Sequence, residues 1–279
     1  MPQHARRREQ YMRKTEKAKH QVITYPSARV TTMDLGSIAL RKHHVVGLIE
    51  VDVTEARSRL REERSAESGV SFFAWIVKTV AAVIAENRYI QAVAGGKNRL
   101  VVFDDVDISV VVEREVAGTR VPLPTLIRKA DKKTGKEIFD EIRQAQIRKI
   151  EDEGDYVLSG RGVSRGLLKL YYLVPRFLRL AAFRYILANP FIRKKIMGTV
   201  VITSIGAARG LAGWILPKTM HTVCIGLGSI TKKPWVVSGE ILPRDILHMT
   251  VLIDHDVVDG VPAARFTADL VDRISKPRN

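Results

Sequence analysis

The sequence predicts an α/β fold, on three observations. The segment opened by Ser71 is apolar nearly all the way round, with Phe72, Trp75, Ile76, Val80, Val83 and Ile84 spread over every side of a helical turn. Such a helix belongs at the centre of a molecule, not on its surface. Short apolar runs recur on either side of it, at 43–53, 106–112, 199–203, 222–229 and 247–253, and each has the length of a strand. The composition is 46% hydrophobic and 27% charged over 279 residues, which suits a folded chain able to bury a full core.

The elements follow in chain order. Residues 1–20 are polar and read as an exposed arm, Gln21 to Thr32 as extended, and Met33 to Arg41 as a short helix. His43 to Val53 alternates as a strand, after which Asp52 or Thr54 caps a charged helix running to Arg64. Ser65 to Val70 is a loop before the buried helix. Gly95-Gly96-Lys97-Asn98 is a turn joining Ile90–Ala94 to a strand at Leu100–Phe103. Thr134 and Glu137 have the spacing of a capping box for a helix reaching about Lys149, with Ile138, Ile142 and Ala145 inward. Beyond a glycine-rich loop at 204–213, which lacks the endings of a phosphate-binding loop, three strands are expected at Thr222–Ser229, Trp235–Val237 and Leu247–Ile253. A last helix then places Phe266, Leu270 and Ile274 on one face.

Charge is concentrated. Of a net +16, residues 1–20 hold +5 and residues 161–195 hold +9, with nine basic residues and no acid in the second segment. Two local surfaces, not the whole body, therefore face an anionic partner. Within 161–197, Pro175 and Pro190 cut the chain into pieces. Arg176, Arg179 and Arg184 fall on one side of the helix between them, and Phe177, Leu178, Ala181, Tyr185 and Ile186 mostly on the other. This is a basic amphipathic helix with three readings open: an anionic membrane surface, packing on the protein's own body, or packing on a second subunit. Nucleic acid is the weaker partner, because the aromatics lack the context of a stacking platform. The N-terminus has no apolar run of a secretory signal. No stretch approaches the ~20 apolar residues of a membrane span. The single cysteine, Cys224, lies in an apolar run, so no intrachain disulfide forms and a reducing, cytoplasmic compartment fits best, peripheral to the inner membrane face if the basic helix docks there. The histidines have no recognised metal spacing with Cys224, so no metal is expected.

Chemistry concentrates in Asp254-His255-Asp256-Val257-Val258-Asp259-Gly260, which follows the last strand and opens the last helix. A histidine at a strand end beside an Asp-Gly turn can hold a general base at a cleft edge. The same residues also make a plain strand–turn–helix junction, with Asp259 capping, Gly260 turning and Pro262 in the first turn. Spacing alone leaves both readings standing.

Four stretches resemble one family in its own order: Val121 to Lys133, Val201 to Gly206, Cys224 to Ile230, and Asp254 to Gly260. The chain is similar to the catalytic domain of the dihydrolipoamide acyltransferases, the core subunits of 2-oxo acid dehydrogenase complexes, and to the related chloramphenicol acetyltransferases. The resemblance implies a two-layer α/β sandwich around a mixed β-sheet. It implies one catalytic domain over 21–279, interrupted by the basic insertion at about 161–197. It further implies a homotrimer or larger assembly with active sites between subunits, and coenzyme A as substrate. In that comparison His255 matches the catalytic base. Thr203 matches the hydroxyl that stabilises the oxyanion from a neighbouring subunit. Asp259 matches the motif's aspartate, Arg41 its arginine partner, and Gly260 the residue that keeps the turn tight.

The chain also departs from the family. No lipoyl domain is expected ahead of residue 42, so the acyl group would arrive on an external lipoyl or acyl-carrier protein. The family's arginine after the histidine is Asp256 here, and its asparagine after the hydroxyl residue is Ser204. Carboxylates at 254, 256 and 259 would favour a charged His255 if they faced it. A non-catalytic trimeric scaffold on the same fold is the alternative that Asp256 supports.

Overall fold

The computed structural model describes residues 28–65, 69–96, 98–116, 119–147, 171, 173–205 and 212–276. The basic arm at 1–20 and the first part of the insertion, 161–170, lie outside these. Among the described residues the helices are α1 Ala28–Ala39, α2 Thr54–Ser65, α3 Phe72–Glu86, α4 Gly135–Ile147, α5 Arg176–Ala188, α6 Pro190–Met197 and α7 Gly260–Ser275. The strands are β1 His44–Asp52, β2 Val93–Ala94, β3 Leu100–Val101, β4 Ile108–Val116, β5 Thr119–Ile127, β6 Val200–Ser204, β7 Val223–Val237 and β8 Glu240–Asp254.

The α/β sandwich with a mixed sheet is borne out. Six strands lie in the order β1-β8-β7-β6-β4-β5. β6 runs parallel to both β4 and β7, and the other pairs are antiparallel. The main core lies between one face of this sheet and the helices α3, α4 and α7. Ser71 caps α3 by accepting from the backbone of Ala74 at 3.1 Å, and Ile76, Val77, Val80, Val83 and Ile84 are wholly buried. Phe266, Leu270 and Ile274 of α7 face the same core, as expected. At α4 the capping box is present: Glu137 accepts from the backbone and hydroxyl of Thr134, whose hydroxyl accepts from the backbone of Glu137.

Three expectations are corrected, and one strand is added that the sequence did not show. Residues 28–32 are helical, not extended: α1 begins at Ala28 because Thr31 and Asp34 are drawn into a buried contact with the insertion, and tertiary contact outweighs the weak helix propensity of threonine. Residues 88–91 form a 3₁₀ turn, and only Val93–Ala94 pairs with β3. Residues 119–127 form a strand, β5, despite Pro122 and Pro124. Alternate residues of a strand point their N–H groups to the same side, so both missing donors lie on one edge; among the described residues β5 pairs with β4 alone, and its other edge is open. The three strands expected after 222 are one hairpin. β7 and β8 pair from Val223↔Ile253 to Val237↔Glu240, with Pro234 opposite Pro243. The hairpin is closed by Ser238 and Gly239, both at positive φ. Its tip runs past Asp52, where β1 ends.

The insertion packs on the body of the protein. α5 and α6 follow each other at Pro190, where Asn189 caps α6 through the backbones of Phe191 and Ile192. Leu187 joins Ala39 of α1 and Met220 in a small second core. Of the arginines on one side of α5, Arg179 faces inward: Asp34, 1% exposed, accepts from Arg179 Nε at 2.8 Å and from the hydroxyl of Tyr171 at 3.0 Å, with the exposed Arg176 at 3.5 Å, while Arg184 is exposed.

Candidate active site

His255 stands in the turn after β8 and is exposed. The turn is fixed by the backbone. The Asp254 carbonyl accepts from Val257 and Val258 at 3.0 and 3.1 Å, the Asp254 amide donates to Thr222, and the His255 amide donates to the carbonyl of His43 at 2.9 Å. Val257 and Val258 are buried in the main core, and the hydroxyl of Tyr89 donates to the Val257 carbonyl. The apolar pair thus anchors the turn while the imidazole two residues earlier stays outside.

The carboxylates beside His255 are engaged elsewhere. Asp254 is fully buried and its Oδ2 meets Lys42 Nζ at 2.5 Å. Asp256 Oδ1 lies 2.8 Å from His43 Nδ1. That contact pushes the His43 pKa up and the Asp256 pKa down, through the hydrogen bond first and the charges second. Asp259 takes the N-cap position of α7 without a side-chain capping bond. Gly260 is already helical, has no positive φ, and an added Cβ there would meet nothing within 4 Å. Among the described residues nothing requires a glycine at this position.

Arg41 is exposed, and among the described residues no ion pair joins it to Asp259. The cation that enters the motif is its neighbour Lys42, and it meets Asp254. β1 starts two residues after Lys42 and lies beside β8 with His44 opposite Asp254, which delivers Lys42 and His43 to the turn. Sequence reasoning also missed Arg193. This α6 residue is 6% exposed and donates to the Thr222 hydroxyl at 3.3 Å, while its Nε has no hydrogen-bond partner among the described residues. Burial pushes its pKa down, opposed by the charge of Asp254. Only the run of arginines in the insertion hinted at it.

Thr203 is half-buried in β6 and lies opposite Gly226 of β7, which lies opposite Thr250 of β8. His255 is five residues beyond Thr250, about 16 Å along the strand, and two strand spacings to the side. One chain does not bring Thr203 and His255 together. The histidine at 221 is not a plain loop residue. Its Nε2 lies 2.9 Å from the Met197 carbonyl and its Nδ1 2.7 Å from the Thr219 hydroxyl. A carbonyl can only accept, so Nε2 carries the proton and Nδ1 accepts from Thr219. Burial lowers its pKa to about 4. An open groove of about 700 Å³ lies where the β2–β3 turn meets the α5–α6 junction, and none of the expected site residues lines it.

Comparison with known proteins bears on this turn. The chain matches the family 2-oxoacid dehydrogenases acyltransferase (catalytic domain) over residues 21–153 and 196–279. It is 29% identical over 90 residues to the lipoamide acyltransferase component of the branched-chain alpha-keto acid dehydrogenase complex of Pseudomonas putida, covering 32% of this chain and 21% of that protein. It is 31% identical over 80 residues to the dihydrolipoyllysine-residue acetyltransferase component of the pyruvate dehydrogenase complex of Acholeplasma laidlawii, covering 29% and 15%. The chain thus spans about a fifth or less of the length of these relatives. Among solved structures, a probable dihydrolipoamide acetyltransferase from Listeria monocytogenes superposes with a TM-score of 0.66 at 19% identity, over 94% of this chain and 98% of that one. The cubic core of a pyruvate dehydrogenase multienzyme complex gives 0.63 at 19% identity, over 94% and 95%. At that identity the likeness is one of fold.

Proposed function

The chain belongs to the 2-oxoacid dehydrogenases acyltransferase (catalytic domain) family, and from that premise we propose that it moves an acyl group between a thioester and a thiol, with coenzyme A as one partner and His255 as general base. The observation that carries the proposal is the arrangement of the turn at 254–259. Lys42 holds Asp254 and His43 holds Asp256, so the imidazole stands exposed beside carboxylates that are already paired. Asp256, the residue that favoured a non-catalytic scaffold, loses most of its force as an objection.

In the proposed reaction a neutral His255 takes the proton of the attacking thiol as its sulfur adds to the thioester carbonyl. The tetrahedral intermediate collapses, the leaving thiolate takes the proton back from the imidazolium, and the acyl group has changed sulfur. The oxyanion formed on the way needs a donor placed beforehand. Thr203 is that donor in this reading, supplied by a neighbouring subunit, because within one chain it is a strand-length away from His255. The site then lies between the subunits of a homotrimer or a larger assembly. The relatives' names, components of multienzyme complexes, support such an assembly. Asp259 helps shape the site, and the acyl group arrives in the cytoplasm as a thioester on a lipoyl or acyl-carrier group.

The test is thioester exchange between acyl-CoA donors and dihydrolipoamide. His255→Ala is expected to lower kcat by about 10²–10⁴, and Thr203→Ala by about 10²–10³. Equal rates for wild type and His255→Ala over a panel of donors would sink the proposal.

A further inference from the structure

The match to the family stops at residue 153 and resumes at 196, so α5 and most of α6 lie outside the matched residues. α5 buries Leu187 and packs Phe183 on the small second core, with Arg179 turned in onto buried Asp34 and the exposed Arg176 reaching the same carboxylate from the rim. Its other side is largely apolar and is turned out. Phe177 is 70% exposed, Leu178 49% and Tyr185 84%, and Leu173 before the helix and Phe191 of α6 are 80% and 64% exposed. Exposed apolar residues in such a cluster mark a contact surface, whereas scattered ones do not.

The charges around this face indicate what covers it. No acid occurs from 161 to 195. Arg184, next to Tyr185 on α5, and Lys195, one helical turn after Phe191 on α6, are exposed. The face is thus aromatic and aliphatic in the middle with cations at the rim, the pattern of a helix lying in the boundary between lipid headgroups and acyl chains. An acidic carrier protein would want the cations at the centre, yet Arg179 is turned inward onto Asp34, Arg176 lies at the start of the helix and is tied to the same carboxylate, and Lys194 is paired with Asp105 and Asp107. Among the described residues no helix is long and apolar enough to cross a membrane, so contact of this kind is from one side.

We infer that the outer face of α5–α6 docks this protein on an anionic membrane surface, through Phe177, Tyr185 and Phe191 with Arg184 and Lys195 at the rim. The inference is independent of the proposed acyl transfer, because binding is read without any acyl donor. Vesicles of phosphatidylcholine with phosphatidylglycerol, and of phosphatidylcholine alone, are sedimented with the full chain. Wild type is expected to bind the mixed vesicles and to bind the neutral ones more weakly. Phe177→Ser with Tyr185→Ser is expected to reduce binding by about tenfold or more, with thermal stability and particle mass by light scattering unchanged, since both residues are exposed. Arg184→Glu with Lys195→Glu is expected to abolish the preference for the anionic vesicles. Absence of wild-type binding to the mixed vesicles would overturn the inference. So would a fall in particle mass in the Phe177/Tyr185 variant, which would make the face a contact between copies of this chain.

Discussion

A buried histidine that keeps a neutral ring ties stability to pH. His221 has a pKa near 4 in the folded chain against an ordinary 6.5. Below pH 6.5 the unfolded chain takes up a proton that the folded chain refuses, so stability falls as pH falls. The loss is complete near pH 4 and amounts to about 3 kcal/mol. His43 works with the opposite sign: its raised pKa adds stability that is fully present below 6.5 and is lost as pH rises through the folded value. His221→Gln keeps a donor for the Met197 carbonyl and an acceptor for the Thr219 hydroxyl without titrating. Urea unfolding of this variant across the acid range should show a flatter loss of stability than wild type; an unchanged acid limb would mean that other groups carry it. The same scale explains why His255 is placed as it is. Lys42, Arg193 and the Asp254 backbone bonds hold one side of the turn, and the main core holds the other through Val257 and Val258. The imidazole is thus carried on a fixed backbone without being packed.

At the scale of elements, the junction from α6 to β6 is a tightly constrained joint. Gly198 has φ 77° and ψ −171°, a region open to glycine alone, and a Cβ there would come within 2.5 Å of the Asp107 carbonyl oxygen. The same carbonyl accepts from the backbone of Thr199, so it has little freedom to withdraw. Gly198→Ala is expected to cost about 2–3 kcal/mol and to lower the melting temperature by about 5–10 °C, as differential scanning fluorimetry would read; a melting point within a degree of wild type would refute the argument. Legibility also differs by element. α3, α4 and α7 were readable because apolar spacing and caps at Ser71 and Thr134 are local signals. β5 was hidden by Pro122 and Pro124, whose meaning depends on a free sheet edge that no local window reveals. The β7–β8 hairpin was broken in the reading at Lys232-Lys233-Pro234, although its closing Ser238-Gly239 was visible. The start of α1 depended on Asp34 meeting Arg179, residues 145 positions apart.

For the whole molecule, the proposed site has its two halves on different chains, and this makes a prediction that no single-site variant does. His255→Ala and Thr203→Ala proteins, each inactive alone, should regain activity when unfolded together and reassembled. In random mixing roughly a quarter of the interfaces pair an intact histidine with an intact threonine. Recovery of about that fraction in the exchange assay supports the shared site, and none would place both residues' effects within one chain. The candidate site was legible in sequence only in part. His255 was marked by its spacing and the resemblance. Lys42, His43 and Arg193 were not, because their roles come from β1 lying beside β8 and from an insertion folding under the strand ends.

The two prolines of β5 carry a further consequence for the sheet as a whole. At 122 and 124 its outer edge has no N–H to offer, so a strand arriving from outside finds gaps in the ladder it would need. At the opposite end β1 has no such interruption, and it presents Val45, Val46 and Leu48. The sheet therefore has a direction: one border is closed by its own chemistry, and any growth by added strands starts from the side that carries Lys42 and His43.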